Sequence, residues 1–286
     1  MTDALEGLRR VRTAGAGWGY RAGEASRVEP TVYALLALHA FDAPLPPDAV
    51  AWLVQTQNAD GSWGGPHGPD GSWVTALPPI AFQAIGKAPE ACARAETWLL
   101  EAHSEAMDHT ASDPILTNGH LLGWPWTAGT FGWVEPTAHA VTALRIAGRK
   151  HSRLDEAIRF LNDRRCEDGG WNYGTPRVRD ITLPPYPYTT AQALIALATP
   201  GTATTTVERD FEVLMSFLHE PLGIFDLAWS ALALDANGRD PGPVLAHLAA
   251  TPREASAWEE NVHALGLATL ARALPKGRNP FRLRAA

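Results

Sequence analysis

The sequence predicts an all-α protein, one domain over residues 1–286 in which six helical hairpins close into a double ring, an (α/α)6 toroid. Three observations lead there. The stretch VEPTVYALLAL at 28–38 returns as VEPTAHAVTAL at 134–144 and more loosely as PYTTAQALIAL at 187–197, and internal repetition marks architectures stacked from one supersecondary unit. Helices apolar nearly all round alternate with helices of ordinary amphipathic period. Strand-like alternation is almost absent.

The amphipathic, outer helices are predicted in DALEGLRRVR, DAVAWLVQTQ, EACARAETWLLEAH, SRLDEAIRFLNDR, TVERDFEVLMSFLHE and PGPVLAHLAA. The inner helices, rich in small residues, begin near residues 30, 74, 136, 189, 225 and 259. An inner ring covered on its outer face needs helices that are apolar on every side, and the outer ring needs one polar face. Between them lie the turns QNADGSWG at 57–64 and CEDGGWNYG at 166–174. Gly61 suits a left-handed residue that ends an outer helix, and Asp60 favours the turn. Trp63 and Trp171 are expected to fold back as staples between neighbouring hairpins, with the Gln57 amide available to the last carbonyls. Trp18, Trp73, Trp124, Trp126 and Trp133 also sit in Gly-rich connections. The connections at 14–28, 104–132 and 172–187 are expected to open at one end of the rings as rims or lids, with HLLGWPWTAGTFGW at 120–133 shaping the entrance.

Composition narrows the function classes. With 45% hydrophobic and 19% charged residues the chain is globular, and no apolar run approaches the length of a membrane span. The N-terminal sequence has no apolar signal core, so a cytoplasmic protein is expected. A net charge of −7, from 24 basic and 31 acidic residues, argues against nucleic acid as a partner. Cys92 and Cys166 are far apart and form neither a disulfide framework nor a zinc-ligand spacing.

The pattern QNADGSWG and CEDGGWNYG, each followed by a small-residue helix, resembles the prenyltransferase and squalene oxidase repeat. That family includes protein prenyltransferase β subunits and the squalene-hopene type of terpene cyclase. The resemblance implies a toroid over nearly the whole chain, with the site at the N-terminal ends of the inner helices. Protonation-initiated cyclases carry an Asp-x-Asp-Asp-Thr-Ala motif there. Laid on it by Thr-Ala, VEPTA at 134–138 places Glu135 where the proton-donating acid sits, and Pro136 replaces the following Asp. In the prenyltransferase zinc site an Asp and a Cys stand two apart. Here Asp226 is followed by Ala228, with His263 matching the His, so the thiolate is missing.

Read from the residues alone, the inner helices begin with Glu29, Trp73, Glu135, Tyr188, Phe225 and Glu259, three acids among three aromatics. One turn deeper stand Tyr33, Leu77, His139, Gln192, Trp229 and His263, on the same face. Below them Leu36, Ile80, Thr142, Ile195 and Leu232 give an apolar floor. An acidic, aromatic mouth over a greasy floor fits a hydrophobic small-molecule substrate with one reactive end. Glu135 with His139, and Glu259 with His263, are i, i+4 pairs able to tune each other's proton affinity, so they are the candidate acid/base units, with Asp226 a further acid. Glu29, Tyr33, Trp73, Trp126, Trp133, Tyr188, Gln192, Phe225 and Trp229 are the candidate substrate contacts.

Simpler roles compete. Glu29 and Glu135 precede prolines and are expected to cap helices that start at Pro30 and Pro136; His139 and His263 are equally satisfied core histidines; Asp226 is a first-turn acid. No cofactor is expected, although two Glu-x-x-x-His pairs facing each other also suit a metal. The leading expectation is a small cyclase-like enzyme, an isomerase or lyase of isoprenoid secondary metabolism. The alternatives are a non-catalytic lipid-binding or scaffold protein and a carbohydrate-active α/α barrel. The oligomeric state is left open.

Overall fold

The computed structural model describes residues 2–66, 68–108, 115, 117–198, 205–251 and 261–283. Its described residues are all-α apart from one short hairpin. The outer helices are α1 (Thr2–Arg10), α3 (Pro47–Gln55), α5 (Pro89–Glu101), α7 (Ser152–Asp163), α9 (Thr205–Ser216) and α11 (Gly242–Ala250). The inner helices are α2 (Val28–Ala40), α4 (Leu77–Ile85), α6 (Val134–Ile146), α8 (Pro187–Ala196), α10 (Ile224–Ala236) and α12 (Val262–Arg272). Strands β1 (Arg177–Val178) and β2 (Ile181–Thr182) pair antiparallel.

Helix α2 packs on α4, α4 on α6, α6 on α8, α8 on α10, α10 on α12, and α12 again on α2. The circuit therefore returns to its start. Each outer helix covers an inner neighbour: α1 on α12, α3 on α2, α5 on α4 and α6, α7 on α6, α9 on α8, and α11 on α10 and α12. The inner helices are buried along nearly their whole length, as helices enclosed on all sides must be. No helix among the described residues is long and apolar enough to cross a membrane.

Four helix starts differ from expectation; α8 begins at Pro187, two residues before the expected 189. α2 and α6 begin two residues before their prolines, with Arg27 and Trp133 as N-caps. The first N–H groups of a helix have no intrahelical acceptor, so proline at the third position loses no hydrogen bond. Glu29 and Glu135 are consequently inside the first turn and do not cap. The second inner helix starts as a 3-10 turn, Trp73–Ala76, before α4. Residues 252–260, where the last inner helix was expected to begin, lie outside the described residues.

One hydrogen-bonded unit recurs in four hairpins. Thr31, Thr75, Thr137 and Thr190 each accept, through Oγ1, the backbone N–H of Trp18, Trp63, Trp124 and Trp171 at 2.9 Å. The indole N–H of each Trp donates to a leucine carbonyl of the preceding outer helix, Leu8, Leu53, Leu99 or Leu161, at 2.6 to 3.1 Å. Each Trp carbonyl in turn accepts from the backbone N–H of Arg27, Ser72, Trp133 or Tyr186. A tryptophan thus ties the end of one outer helix to the start of the next inner helix, and every polar atom it buries is paired. The staple expected for Trp63 and Trp171 extends to Trp18 and Trp124. Gln57 bonds the Gly61 and Ala91 carbonyls, so it ties the turn to α5 rather than to the end of α3. In three of the four units a glycine precedes the Trp: a Cβ at Gly17, Gly123 or Gly170 would sit 2.5 to 2.8 Å from the threonine Oγ1.

The far end, by the C-termini of the inner helices, is crossed by residues 278–282. Arg278 bonds the His39 carbonyl and Asp42 at the end of α2, and Asn279 and Arg282 bond Asp235 near the end of α10. Phe281, 1% exposed, packs on Trp229.

Thr137→Val removes the acceptor of a buried N–H and is expected to cost about 1–3 kcal/mol. Gly123→Ala should cost at least as much, because its Cβ would also lie 3.0 Å from the Phe160 ring. Urea unfolding of both variants measures this; unchanged midpoints would remove the staple from the account of stability.

Candidate active site

The first turns of α2 and α6 carry their carboxylates inward. Glu29 is 6% and Glu135 4% exposed, and two networks form around them. Tyr20, from the connection before α2, donates its hydroxyl to Glu29 Oε2 at 2.7 Å, and His263 Nε2 stands 3.5 Å from Glu29 Oε1. Glu135 Oε1 accepts from the Tyr188 hydroxyl and from Gln192 Nε2 at 3.2 Å, with His139 Nε2 at 3.8 Å. Gln192 Nε2 also lies 3.3 Å from His139 Nε2.

The Glu135–His139 pair is thus in place. His263 is paired differently. Glu259 lies outside the described residues, and the carboxylate beside His263 is Glu29, brought there because α12 packs on α2. A backbone bond from the Val262 N–H to the Tyr20 carbonyl, 2.9 Å, fixes this junction between the beginning and the end of the circuit. Tyr20 went unrecognised in the sequence because it lies outside the inner-helix alignment. Its place two residues after Trp18 was the available signal.

Burial dominates the electrostatics. It pushes the Glu29 carboxyl up from 4.5 to about 7; the Tyr20 hydrogen bond opposes this and the nearby Glu135 charge adds to it. The His263 imidazole is pushed down from 6.5 to about 3, again by burial, with Glu135 opposing. The Tyr20, Tyr33 and Tyr188 hydroxyls are all raised, first by burial and then by the carboxylates. Near neutrality the Glu29 group is therefore divided between acid and carboxylate beside a neutral imidazole.

Trp229 occupies the middle. From α10 it reaches Tyr33 on α2, His139 on α6 and Tyr188 on α8 at ring separations of 5.5 to 6.2 Å, with Phe281 beneath it. Two of those helices are not its neighbours in the circuit, so its indole spans the space between them and leaves no open shaft there. Leu36, Ile80, Thr142, Ile195 and Leu232 below are all buried. Tyr33 stacks on His263 at 4.8 Å, and Phe225 meets the same imidazole edge-on.

Two adjoining clefts reach Glu29. One of about 370 Å³ is lined by Tyr20, Glu29, Trp73, Trp126 and residues 65, 66, 68 and 70–72, a wall not anticipated from sequence; the other, of about 500 Å³, shares Tyr20 and Glu29 and has Arg27 on its wall. Trp73 and Trp126 meet edge to face at 5.0 Å, and Trp73 stacks on His139, 5.6 Å away. The cleft therefore touches Glu29 directly and the Glu135 network through one indole. A backbone bridge between Ser72 and Thr127 holds the two tryptophan-bearing connections together. Trp133 is spent otherwise, capping α6 and pairing with Trp124. The Asp226 carboxylate accepts from the Gly223 N–H at 3.3 Å, a first-turn cap. Among the described residues no group of three or more His, Cys, Asp or Glu side chains is arranged to hold a metal.

No family model matches the sequence. No curated protein matches it either. Among solved structures, a trypsin-activated alpha-2-macroglobulin from Escherichia coli is similar, with 17% identity and a TM-score of 0.48 over 94% of this chain and 18% of that one. This chain thus spans less than a fifth of that protein's length.

Glu29 gives a pH signature. In the folded chain it keeps a proton that the unfolded chain has released between pH 4.5 and about 7, so its contribution to stability falls as pH rises through that window. Relative to the parent, Glu29→Gln should therefore gain stability as pH rises through that window, by a few kcal/mol at most. Chemical denaturation of both proteins at pH 4.5, 5.5, 6.5 and 7.5 measures it; a constant difference would refute the raised carboxyl.

Proposed function

We propose that this chain is a small enzyme, a toroid of the terpenoid cyclase and protein prenyltransferase kind. In this reading it carries out acid/base chemistry on an isoprenoid or similarly apolar substrate. The observation that carries the proposal is the Glu29 carboxyl, buried, pushed to about 7 and exposed to a cleft walled by Tyr20, Trp73 and Trp126. A general acid works best when its proton affinity lies near the working pH. Environments that differ between two neighbouring carboxyls are how one site supplies both acid and base.

Glu29 takes the proton-donating role that the sequence resemblance gave to Glu135. Its O–H bond breaks as a bond from that proton to a substrate carbon forms. The resulting carboxylate is held by the Tyr20 hydroxyl and takes a proton back when an adjacent C–H bond of the cationic intermediate breaks. Indole faces of Trp73 and Trp126 stabilise the positive charge between those steps. Glu135, with His139 between it and Trp73, sets the field in which Glu29 titrates. The reaction belongs to the mouth, because Trp229 fills the middle. A cytoplasmic location is part of this proposal.

The filled middle also favours a second reading, a ligand-binding protein without turnover. The two separate in one experiment. Organic extraction of the purified protein identifies the bound molecule by mass spectrometry, and that molecule together with neutral polyprenes such as squalene is incubated with parent and Glu29→Gln. The enzyme reading expects product from the parent and at least a ~100-fold loss in the variant, with circular dichroism unchanged. A bound molecule that neither protein alters is the outcome of the second reading.

A further inference from the structure

The mouth cleft has a chemical bias beyond its acid. Its lining carries two carboxylates, Glu29 and Asp70, and three aromatic rings, Tyr20, Trp73 and Trp126, with no Lys, Arg or His among the described residues that face it. Elsewhere the protein places its arginines over aromatic rings freely: Arg153 over Trp124 at 3.8 Å, Arg165 over Trp171 at 4.7 Å and Arg239 over Phe211 at 3.9 Å. Those rings already have their cations; the rings of the cleft have none among the described residues. Trp73 and Trp126 stand edge to face at 5.0 Å, so the two indole planes are nearly perpendicular and form a corner. A corner of two π-systems bordered by carboxylates is electronegative on each side and apolar in its surface.

From this geometry we propose that the mouth cleft binds organic cations, a compact trialkylammonium or protonated tertiary amine head, and that anionic heads such as diphosphates are excluded. This rests on the cleft being the ligand site of the preceding section, and names the class of head group it accepts. The attraction comes from ring quadrupoles and carboxylates acting on a poorly hydrated charge. A strongly hydrated ammonium such as that of lysine gains less, since it gives up more water. A diphosphate would face Glu29 and Asp70; the described cation nearest to them, Arg27, lines the adjoining cleft and not this one.

The test is a titration that reads binding and not turnover. Choline and its uncharged carbon isostere 3,3-dimethylbutan-1-ol are titrated into the full chain at pH 7.5, followed by calorimetry and tryptophan fluorescence, with inorganic pyrophosphate as the anionic probe. Choline is expected to bind saturably and about tenfold more tightly than the isostere, pyrophosphate not at all. Trp126→Leu should lower choline affinity about tenfold. Asp70→Asn, at an exposed position where folding is not at stake, should lower it about threefold and reduce its salt dependence. Equal binding of choline and the isostere, binding of pyrophosphate, or choline affinity untouched in both variants would overturn the proposal. Turnover that depends on Glu29 in a protein that ignores choline would overturn the cation site and leave the acid chemistry standing; choline binding without turnover would do the reverse.

Discussion

A threonine hydroxyl facing a tryptophan backbone N–H, with the indole N–H sent to the carbonyl of the helix behind, recurs in the first four hairpins. The rest of the structure depends on it. Helix ends leave unpaired polar groups, and a connection that dives between two helices must satisfy them without water. Each staple does so and at the same time fixes where the next inner helix begins. That start position decides which residue of the first turn points inward, and so places Glu29 and Trp73 on the cleft and Glu135 with Tyr188 in the network behind it.

Enclosure then determines the electrostatics. Inner helices covered on every side put the Glu29 carboxyl in a poorly solvated region, where its neutral form is favoured. Among the described residues no arginine is paired with Glu29 or Glu135. The protein surrounds them with hydroxyls, an amide and two imidazoles, groups that move protons or orient them without removing the Glu29 carboxyl's own titration near neutrality. An ion pair would have held Glu29 permanently charged.

Much of the helical framework was legible in the sequence because it is written in short periods. The repeat VEPT, the amphipathic outer segments and the Gly-Trp turns each encode local geometry, and Glu135 with His139 needs only the helical rise to meet. His263 with Glu29 was not legible, since that contact exists only because α12 closes against α2. The helix starts were misplaced by two residues because proline marks the first turn, not its first position. Trp229 was set one turn below the mouth by its register, but that depth says nothing about whether its volume fills the space across to α2 and α6. The wall that includes Gly65, Pro66, Gly68 and Asp70 escaped notice because it lies in a connection outside the inner-helix alignment.

The segment at 278–282 has a consequence for traffic. By bridging α2 and α10 and pressing Phe281 up against Trp229, it works as a stopper in the base of the molecule. Among the described residues the base is thereby shut beneath Trp229, and a molecule held in the clefts that reach Glu29 sits on the side away from this stopper.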